Sequence, residues 1–141
     1  MKLFKTDRSL VLYIILTMLT CGIYGIVFMY FMIDDINEML RGDGKHTYNI
    51  FMVMLLSLIT FGIYSFIWYY NIGERLGEAT RVRNIPDTIS GTTVLLWILL
   101  GSFLCGVGPY VALYQIINAT NKLAVYNNAM VQARMAPPPM R

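Results

Sequence analysis

The sequence predicts an all-helical membrane protein built from three repeated units. Of its 141 residues, 57% are hydrophobic and only 13% are charged, whereas a typical soluble domain is roughly 25% charged. The apolar residues are concentrated in three blocks, and none of these contains Asp, Glu, Lys or Arg. The blocks carry copies of one short motif, so one helical unit is expected three times. The blocks are Leu10–Ile33, Ile50–Tyr70 and Val94–Ile117.

Each apolar block is long enough to cross a bilayer. The blocks contain 24, 21 and 24 residues. About 20 helical residues, each rising about 1.5 Å, cross a hydrocarbon core of about 30 Å. A helix in a soluble core is rarely apolar on all sides over such a length. The blocks therefore predict helices embedded in a membrane.

A Thr-x-Gly-Ile-Tyr motif stands in the middle of the first two blocks. "TCGIYG" begins at Thr20 and "TFGIYS" begins at Thr60, an offset of 40 positions. A weaker third copy, "CGVGPY", aligns at an offset of 46 positions. The motif predicts the turn of each repeat. The predicted turn residues are Thr20, Gly22, Ile23, Tyr24, Thr60, Gly62, Ile63, Tyr64, Gly108, Pro109 and Tyr110.

An amphipathic stretch follows each block, so each helix is expected to continue beyond the lipid. The turn Gly42-Asp43-Gly44 predicts the end of the first stretch, and Pro86 predicts the end of the second. One of Asp87, Thr88 and Ser90 is expected to cap the helix that follows. The chain is predicted to be one membrane domain with repeats at about 8–41, 45–81 and 88–128 and a mobile tail at 129–141.

The repeats also resemble a known family. "LTCGIYGIVFMYFMIDDINEM", "ITFGIYSFIWYYNIGERLGEA" and "FLCGVGPYVALYQIINATNKLA" are similar to segments of small bacterial integral-membrane proteins that form a domain of unknown function. The mark of that family is a repeated T-x-G-I-Y motif followed by aromatic residues and an amphipathic stretch. The resemblance covers Arg8 to Asn128 and is weakest in the third copy. It implies a membrane location, but no activity, substrate or cofactor.

Two architectures fit the repeats. In the preferred one, each repeat is a helical hairpin that turns at the Gly-Ile-Tyr element. In the alternative, each block is one kinked transmembrane helix. Pro109 in the third copy favours the hairpin, because proline suits the first turn of a helix. The legs would be roughly 21–27 Å long, so the turns are expected to stop within the far leaflet or to be screened by protein.

Acidic side chains just outside the first two blocks form a candidate site. Asp34 and Glu38 are four residues apart, as are Glu74 and Glu78, so each pair shares a helix face. These carboxylates would form either a solvated surface or the acidic mouth of a pore. With His46 as the single histidine, the sequence contains no catalytic triad, metal motif or phosphate loop. It therefore predicts no enzyme activity, no cofactor and no metal.

The predicted function is a structural or interaction role in a lipid bilayer. The expected partners are further copies of the chain or another membrane protein, and an oligomeric channel or small transporter is the alternative. The sequence contains no basic patch with stacking aromatic residues, so nucleic-acid binding is not predicted. The resemblance implies a bacterial inner membrane, and the basic residues at both ends of the chain favour a cytoplasmic location for both termini.

Overall fold

The computed structural model describes residues 2–86 and 89–137. Within these residues the chain forms six α-helices and no strand, so the predicted all-α class is confirmed. The helices are α1 (Leu10–Leu19), α2 (Ile23–Met39), α3 (Ile50–Ile59), α4 (Ile63–Val82), α5 (Gly91–Phe103) and α6 (Gly108–Met135).

Each apolar block is divided into two helices that fold back on each other. The rings of Tyr13 in α1 and Phe28 in α2 have centroids 4.9 Å apart. In one continuous helix these residues would be separated by about 22 Å. The hydroxyls of Ser57 in α3 and Ser65 in α4 are likewise 2.7 Å apart. The repeats are therefore helical hairpins, and the alternative of three single kinked helices is wrong.

The division shortens every helix that the sequence assigned to the membrane. The first helices of the three hairpins contain 10, 10 and 13 residues, since each predicted span combined both legs of a hairpin. Among the described residues, no helix has both the length and the apolar composition needed to cross a membrane.

Polar side chains begin the first helix of each hairpin. Ser9 and Asn49 accept hydrogen bonds from the backbone N–H groups of residues 12 and 52, and Ser90 accepts one from residue 93. These bonds satisfy donors that a helix leaves open at its N-terminus. Ser90 is thus the cap of α5, whereas the other two candidates, Asp87 and Thr88, lie outside the described residues.

The C-terminal helix extends further than the sequence predicted. α6 continues to Met135, so residues 129–135, which the sequence assigned to the tail, are helical. Ala136 then has an extended conformation, with φ −66° and ψ 139°, because the following Pro137 disfavours the helical region for the residue before it. The rest of the predicted tail, residues 138–141, lies outside the described residues.

The buried core lies between the second helices of the hairpins. Ile36 of α2, Ile72 and Leu76 of α4, and Ile116 and Leu123 of α6 are completely buried. By contrast, α1 has no buried residue and α3 has one. The completely buried side chains therefore lie mainly on α2, α4 and α6, whereas α1 and α3, which lead into the first two turns, remain open to their surroundings.

Glycines bring α5 against both of its neighbours. A Cβ atom at Gly77 would lie 1.9 Å from the carbonyl oxygen of Ile89, just before α5. A Cβ atom at Gly108 would lie 1.8 Å from the carbonyl oxygen of Trp97 and 2.3 Å from the Cα atom of Gly101. No side chain fits at these contacts, so glycine sets how closely α5 approaches α4 and α6.

Candidate functional site

The first two turns have the same backbone geometry. In the first, Cys21 and Gly22 have φ angles of 53° and 93°, and the N–H of Gly22 donates to the carbonyl of Thr17 at 2.8 Å. In the second, Phe61 and Gly62 have φ angles of 54° and 88°, and the N–H of Gly62 donates to the carbonyl of Ser57 at 2.7 Å. Each is a Schellman motif, in which N–H groups past the helix end bond to its last carbonyls.

The threonine of each motif links the two helices across the turn. The Thr20 hydroxyl donates to the carbonyl of Leu16 at 2.7 Å and accepts from the N–H of Tyr24 at 2.9 Å. Thr60 makes the equivalent bonds at 2.8 and 3.0 Å. Each threonine thus satisfies a carbonyl of the helix that ends and an N–H of the helix that begins. These turns meet much of their own hydrogen-bonding requirement without water.

The third turn corrects the predicted alignment. The left-handed residues are Cys105 and Gly106, with φ angles of 54° and 75°, so Gly106 corresponds to the glycines of the first two motifs. Gly108, Pro109 and Tyr110, which were predicted to form the turn, begin α6 instead. The prediction was displaced by two residues, because the third turn needs extra length to reach the close contact at Gly108. Pro109 lacks an N–H and therefore needs no partner there.

The three turns carry an exposed apolar surface, which we call the hairpin tips (residues 18–23, 58–63 and 103–107). Phe61 is 96% exposed and Phe103 is 89% exposed. Of the other predicted turn residues, Ile23, Ile63 and Tyr110 are exposed, whereas the tyrosines at positions 24 and 64 are partly buried. No charged residue occurs in the tips. An exposed apolar surface of this extent marks a site that contacts a membrane or another protein.

The polar ends of all three hairpins meet at one end of the molecule, which we call the polar end (residues 2–9, 34–49, 74–86 and 118–128). Asp35 in α2, Arg75 in α4 and Asn121 in α6 each lie thirteen positions after Gly22, Gly62 or Gly108. Each of these three side chains forms hydrogen bonds with the segment that precedes the first helix of a hairpin. We call them the latch residues.

Arg75 is the most extensively bonded latch residue. It is 4% exposed, and it donates two bonds to the carboxylate of Asp43 at 2.8 and 3.1 Å. Further bonds go to the side-chain oxygens of Asn37 and Thr47 and to the carbonyl of Lys45. All five N–H donors of the guanidinium group are therefore used. Arg75 fixes the α2–α3 loop onto α4.

The same network determines the ionisation of Asp43. Partial burial raises the pKa of this carboxyl, but the hydrogen bond from Arg75 and the backbone bond from Lys45 outweigh it, so the pKa of Asp43 lies below its ordinary value. Asp43 therefore keeps its charge to a lower pH in the folded protein than in the unfolded chain. Its contribution to stability is present above the ordinary aspartate pKa and is lost as the pH falls through the lower folded value.

The other two latch residues hold the N-terminal segment. Arg8, which is buried, forms an ion pair with Asp35. The amide of Asn121 bonds to both backbone groups of Arg8, at 3.2 Å to the N–H and 2.8 Å to the carbonyl. Asn128 holds Phe4 in the same way, at 2.7 and 2.8 Å. The segment before α1 is thus fixed to both α2 and α6.

The predicted acidic residues bind separate partners. A carboxylate oxygen of Asp34 lies 3.8 Å from the ammonium nitrogen of Lys2. A carboxylate oxygen of Glu38 lies 3.7 Å from a guanidinium nitrogen of Arg41, and one of Glu78 lies 2.5 Å from the ammonium nitrogen of Lys45. Glu74 instead accepts a bond from the backbone N–H of Gly91 at 2.7 Å, at the start of α5. Across the described ranges, no group of three or more Asp, Glu, His or Cys side chains is placed to hold a metal ion.

Sequence reasoning missed the latch residues and the asparagines that support them. Asn37 bonds to both backbone groups of Thr47, at 2.9 and 2.8 Å, and so repeats the contact of Asn121 with Arg8. The available signal was periodic, since positions 35, 75 and 121 each lie thirteen residues after the glycine that the sequence alignment assigned to the turn. Three different residue types at these positions concealed it.

Comparison with known proteins agrees with the repeat. The profile of the domain of unknown function DUF4234 matches residues 8–78 and again residues 49–122. The first match begins before α1 and ends within α4, the second begins before α3 and ends within α6, and both include residues 49–78. No curated protein and no solved structure matches the chain. The two matches together extend from residue 8 to residue 122, and the chain belongs to the DUF4234 family.

Proposed function

We propose that this chain is a membrane-anchored interaction protein whose three hairpins insert into a lipid bilayer from one side. The observation that carries this proposal is the exposed, uncharged surface of the hairpin tips. Insertion would remove their large apolar side chains from water, and each such burial contributes about 1.5–3 kcal/mol. The main exposed side chains are Met18, Leu19, Ile23, Leu58, Ile59, Phe61, Ile63, Phe103 and Leu104.

The hydrogen bonding of the turns supports insertion. Lipid offers no donors or acceptors, so irregular backbone in the hydrocarbon is costly unless its polar groups find partners within the protein. The bonds made by Thr20, Thr60 and the Schellman glycines supply such partners. Pro109 supplies no such partner, but because proline has no backbone N–H, it removes a donor that would otherwise need one. Turns that depended on water would oppose the proposal.

The dimensions of the hairpins favour partial insertion. The latch residues lie twelve or thirteen positions after the first residue of α2, α4 or α6, which corresponds to about 18–20 Å along a helix. A hydrocarbon core is about 30 Å thick. With the latch residues at one interface, the tips would pass the bilayer centre but would not reach the far side. All polar segments would then share one aqueous side.

The interaction role rests on the polar end. Its loops are fixed by Arg75, Asp35 and Asn121, so insertion would present a rigid surface at the membrane interface. We propose the cytoplasmic side for this surface, because all 11 Lys and Arg residues lie outside the apolar blocks and such residues are concentrated on the cytoplasmic side of membrane proteins. The four carboxylates that were predicted at a pore mouth have separate partners, so no observation favours the channel alternative.

Two tryptophans provide the test. Trp97 in α5 is 39% exposed and Trp68 in α4 is 3% exposed, and both are within about 10 Å of a turn along their helices. In liposomes containing lipids brominated in the acyl chains, the Trp68→Phe variant, which retains Trp97, is expected to show strong fluorescence quenching. The Trp97→Phe variant is the matched control at similar depth, and its buried Trp68 is expected to be quenched much less.

The same liposomes can refute the proposal. An aqueous quencher such as iodide should have little effect on Trp97 once the protein is inserted. If iodide quenches Trp97 strongly and the brominated lipids do not, the exposed face of α5 is in water and the hairpins are not inserted.

A further inference from the structure

A cavity of about 380 Å³ lies between residues 45–48, which precede α3, and one face of α4. Among the residues that line it, Lys45 and Glu74 lie toward the polar end, and Tyr64 and Trp68 lie toward the hairpin tips. Tyr48, which also lines the cavity, is 49% exposed. The cavity therefore opens outward and changes from charged to aromatic along its length. We call it the α4 cavity.

Hydrogen bonds hold the walls of the α4 cavity in place. The indole N–H of Trp68 donates to the carbonyl of Tyr48 at 3.1 Å. The guanidinium group of Arg75 donates to the carbonyl of Lys45 and to the hydroxyl of Thr47, both at 2.9 Å. The segment 45–48 is thus fixed to α4 at two levels. Walls that are fixed in advance lose little conformational entropy when a ligand binds.

Three side chains in the cavity can donate hydrogen bonds to a ligand. They are the ammonium group of Lys45, the imidazole of His46 and the amide of Asn71. All three residues are exposed, so their N–H groups can reach a molecule that enters the cavity. A phosphate diester carries oxygen atoms that accept such bonds. The donors therefore indicate a phosphate group as part of the ligand.

The charges around the cavity favour a zwitterionic ligand over an anionic one. The Lys45 ammonium is paired with Glu78 at 2.5 Å. The Arg75 guanidinium is paired with Asp43 at 2.8 Å. Glu74 adds a further carboxylate to the cavity wall, so a phosphate alone would meet no excess of positive charge. A ligand that also carries an ammonium group would pair with Glu74 and balance the site.

The depth of the cavity matches a phospholipid in the inserted orientation. Arg75, at the level of the interface, lies twelve positions after the first residue of α4. Asn71 is one helical turn deeper, or about 6 Å, and Tyr64 is about 16 Å deeper. A headgroup beside Lys45 and Asn71 would therefore have its acyl chains next to Tyr64, inside the hydrocarbon. A water-soluble ligand would use only the charged part of the cavity.

We infer that the α4 cavity binds the headgroup of a phospholipid that carries a primary ammonium group. The phosphate accepts hydrogen bonds from Lys45, His46 and Asn71, and the ammonium group pairs with Glu74. The acyl chains leave the cavity past Tyr64 and enter the bilayer. The inference deepens the proposed function and rests on it, because membrane insertion is what brings lipid to the opening of the cavity.

Native mass spectrometry of the full-length protein in detergent tests this inference, with lipids of identical acyl chains added one at a time. Phosphatidylethanolamine is expected to remain bound to one site, at least about fivefold more than phosphatidylglycerol or diacylglycerol, since one further charge-assisted bond contributes about 1 kcal/mol. Glu74→Gln retains an acceptor for the N–H of Gly91 and should abolish the preference for ethanolamine over glycerol. Combining His46→Ala with Asn71→Leu should reduce both phospholipids to the level of diacylglycerol. Arg41→Gln, which alters an exposed cation of the same loop outside the cavity, should change neither result.

Three results would overturn this inference. Equal retention of phosphatidylethanolamine and diacylglycerol would show that the phosphate is not recognised, and an unchanged preference in Glu74→Gln would remove the ammonium site. Equal binding of deacylated glycerophosphoethanolamine would assign the cavity to a water-soluble phosphodiester. Because these measurements are made in detergent, they test the cavity without a bilayer. The quenching of Trp97 in liposomes tests insertion, so the two proposals can fail separately.

Discussion

Replacing Arg75 with methionine is expected to lower the free energy of unfolding by about 2–3 kcal/mol, because the hydrogen-bond partners of a buried guanidinium group lose their donor. The substitution removes five hydrogen bonds and leaves Asn37, Asp43 and Thr47 without their shared donor. Since Arg75 lowers the pKa of Asp43, that pKa should rise in the variant. An SDS titration of the purified protein, followed by circular dichroism, measures the change in stability.

The matched control is Arg81→Met, on the same helix but exposed, and it should change the unfolding free energy by less than about 0.5 kcal/mol. Arg75→Lys retains the charge but cannot supply five fixed donors, so its stability should lie between those of the wild type and Arg75→Met. Equal stability of Arg75→Met and Arg81→Met would show that the latch at Arg75 does not hold the α2–α3 loop.

Replacing Gly108 with alanine is expected to destabilise the third hairpin by about 3 kcal/mol or more, at the upper end of overpacking effects. The added Cβ would lie 1.8 Å from the carbonyl oxygen of Trp97 and 2.3 Å from the Cα atom of Gly101. Both obstacles are backbone atoms, so no side chain can rotate away and the two helices must separate. Thermal unfolding in detergent, with near-ultraviolet circular dichroism as the signal, measures the effect.

Gly25→Ala is the control for this substitution. Its Cβ would meet only side-chain atoms of Thr17 and Tyr13, at 3.1–3.2 Å. These can shift by a few tenths of an ångström, and alanine is the better helix former by about 1 kcal/mol. The stability of Gly25→Ala should therefore lie within about 1 kcal/mol of wild type. If Gly108→Ala is equally mild, α5 and α6 do not cross as closely as the structure describes.

The sequence predicted the repeat and the first two turns because their cause is local. Thr20, Gly22 and their copies at 60 and 62 form hydrogen bonds with residues no more than five positions away. The short motif is therefore enough to predict the turn. In the third turn, the close approach of Gly108 to Gly101 and Trp97 requires a longer connection. That requirement comes from the contact between α5 and α6, which the motif does not contain. Aligning the third copy by its glycine and tyrosine alone therefore displaced the predicted turn by two residues.

The polar end was less predictable for a different reason. Asp35, Arg75 and Asn121 lie on amphipathic segments, where charged and polar residues usually face solvent. Their partners are up to 113 positions away in the chain, as with Asn121 and Arg8. No local pattern indicates such a contact. The length of an apolar block also did not distinguish one membrane-spanning helix from a hairpin of two short helices, because both can have the same length and composition.

The central claim is that the hairpin tips lie inside a bilayer, and the two native cysteines test it most directly. Cys21 and Cys105 are free and exposed, each at the turn of a different hairpin. Single spin labels, attached in Cys105→Ser and Cys21→Ser variants respectively, report depth in liposomes through their relaxation by oxygen and by a water-soluble nickel complex. We expect both labels to be relaxed strongly by oxygen and weakly by nickel, at similar depths near the bilayer centre. Strong relaxation of either label by nickel would place that tip in water and contradict the account.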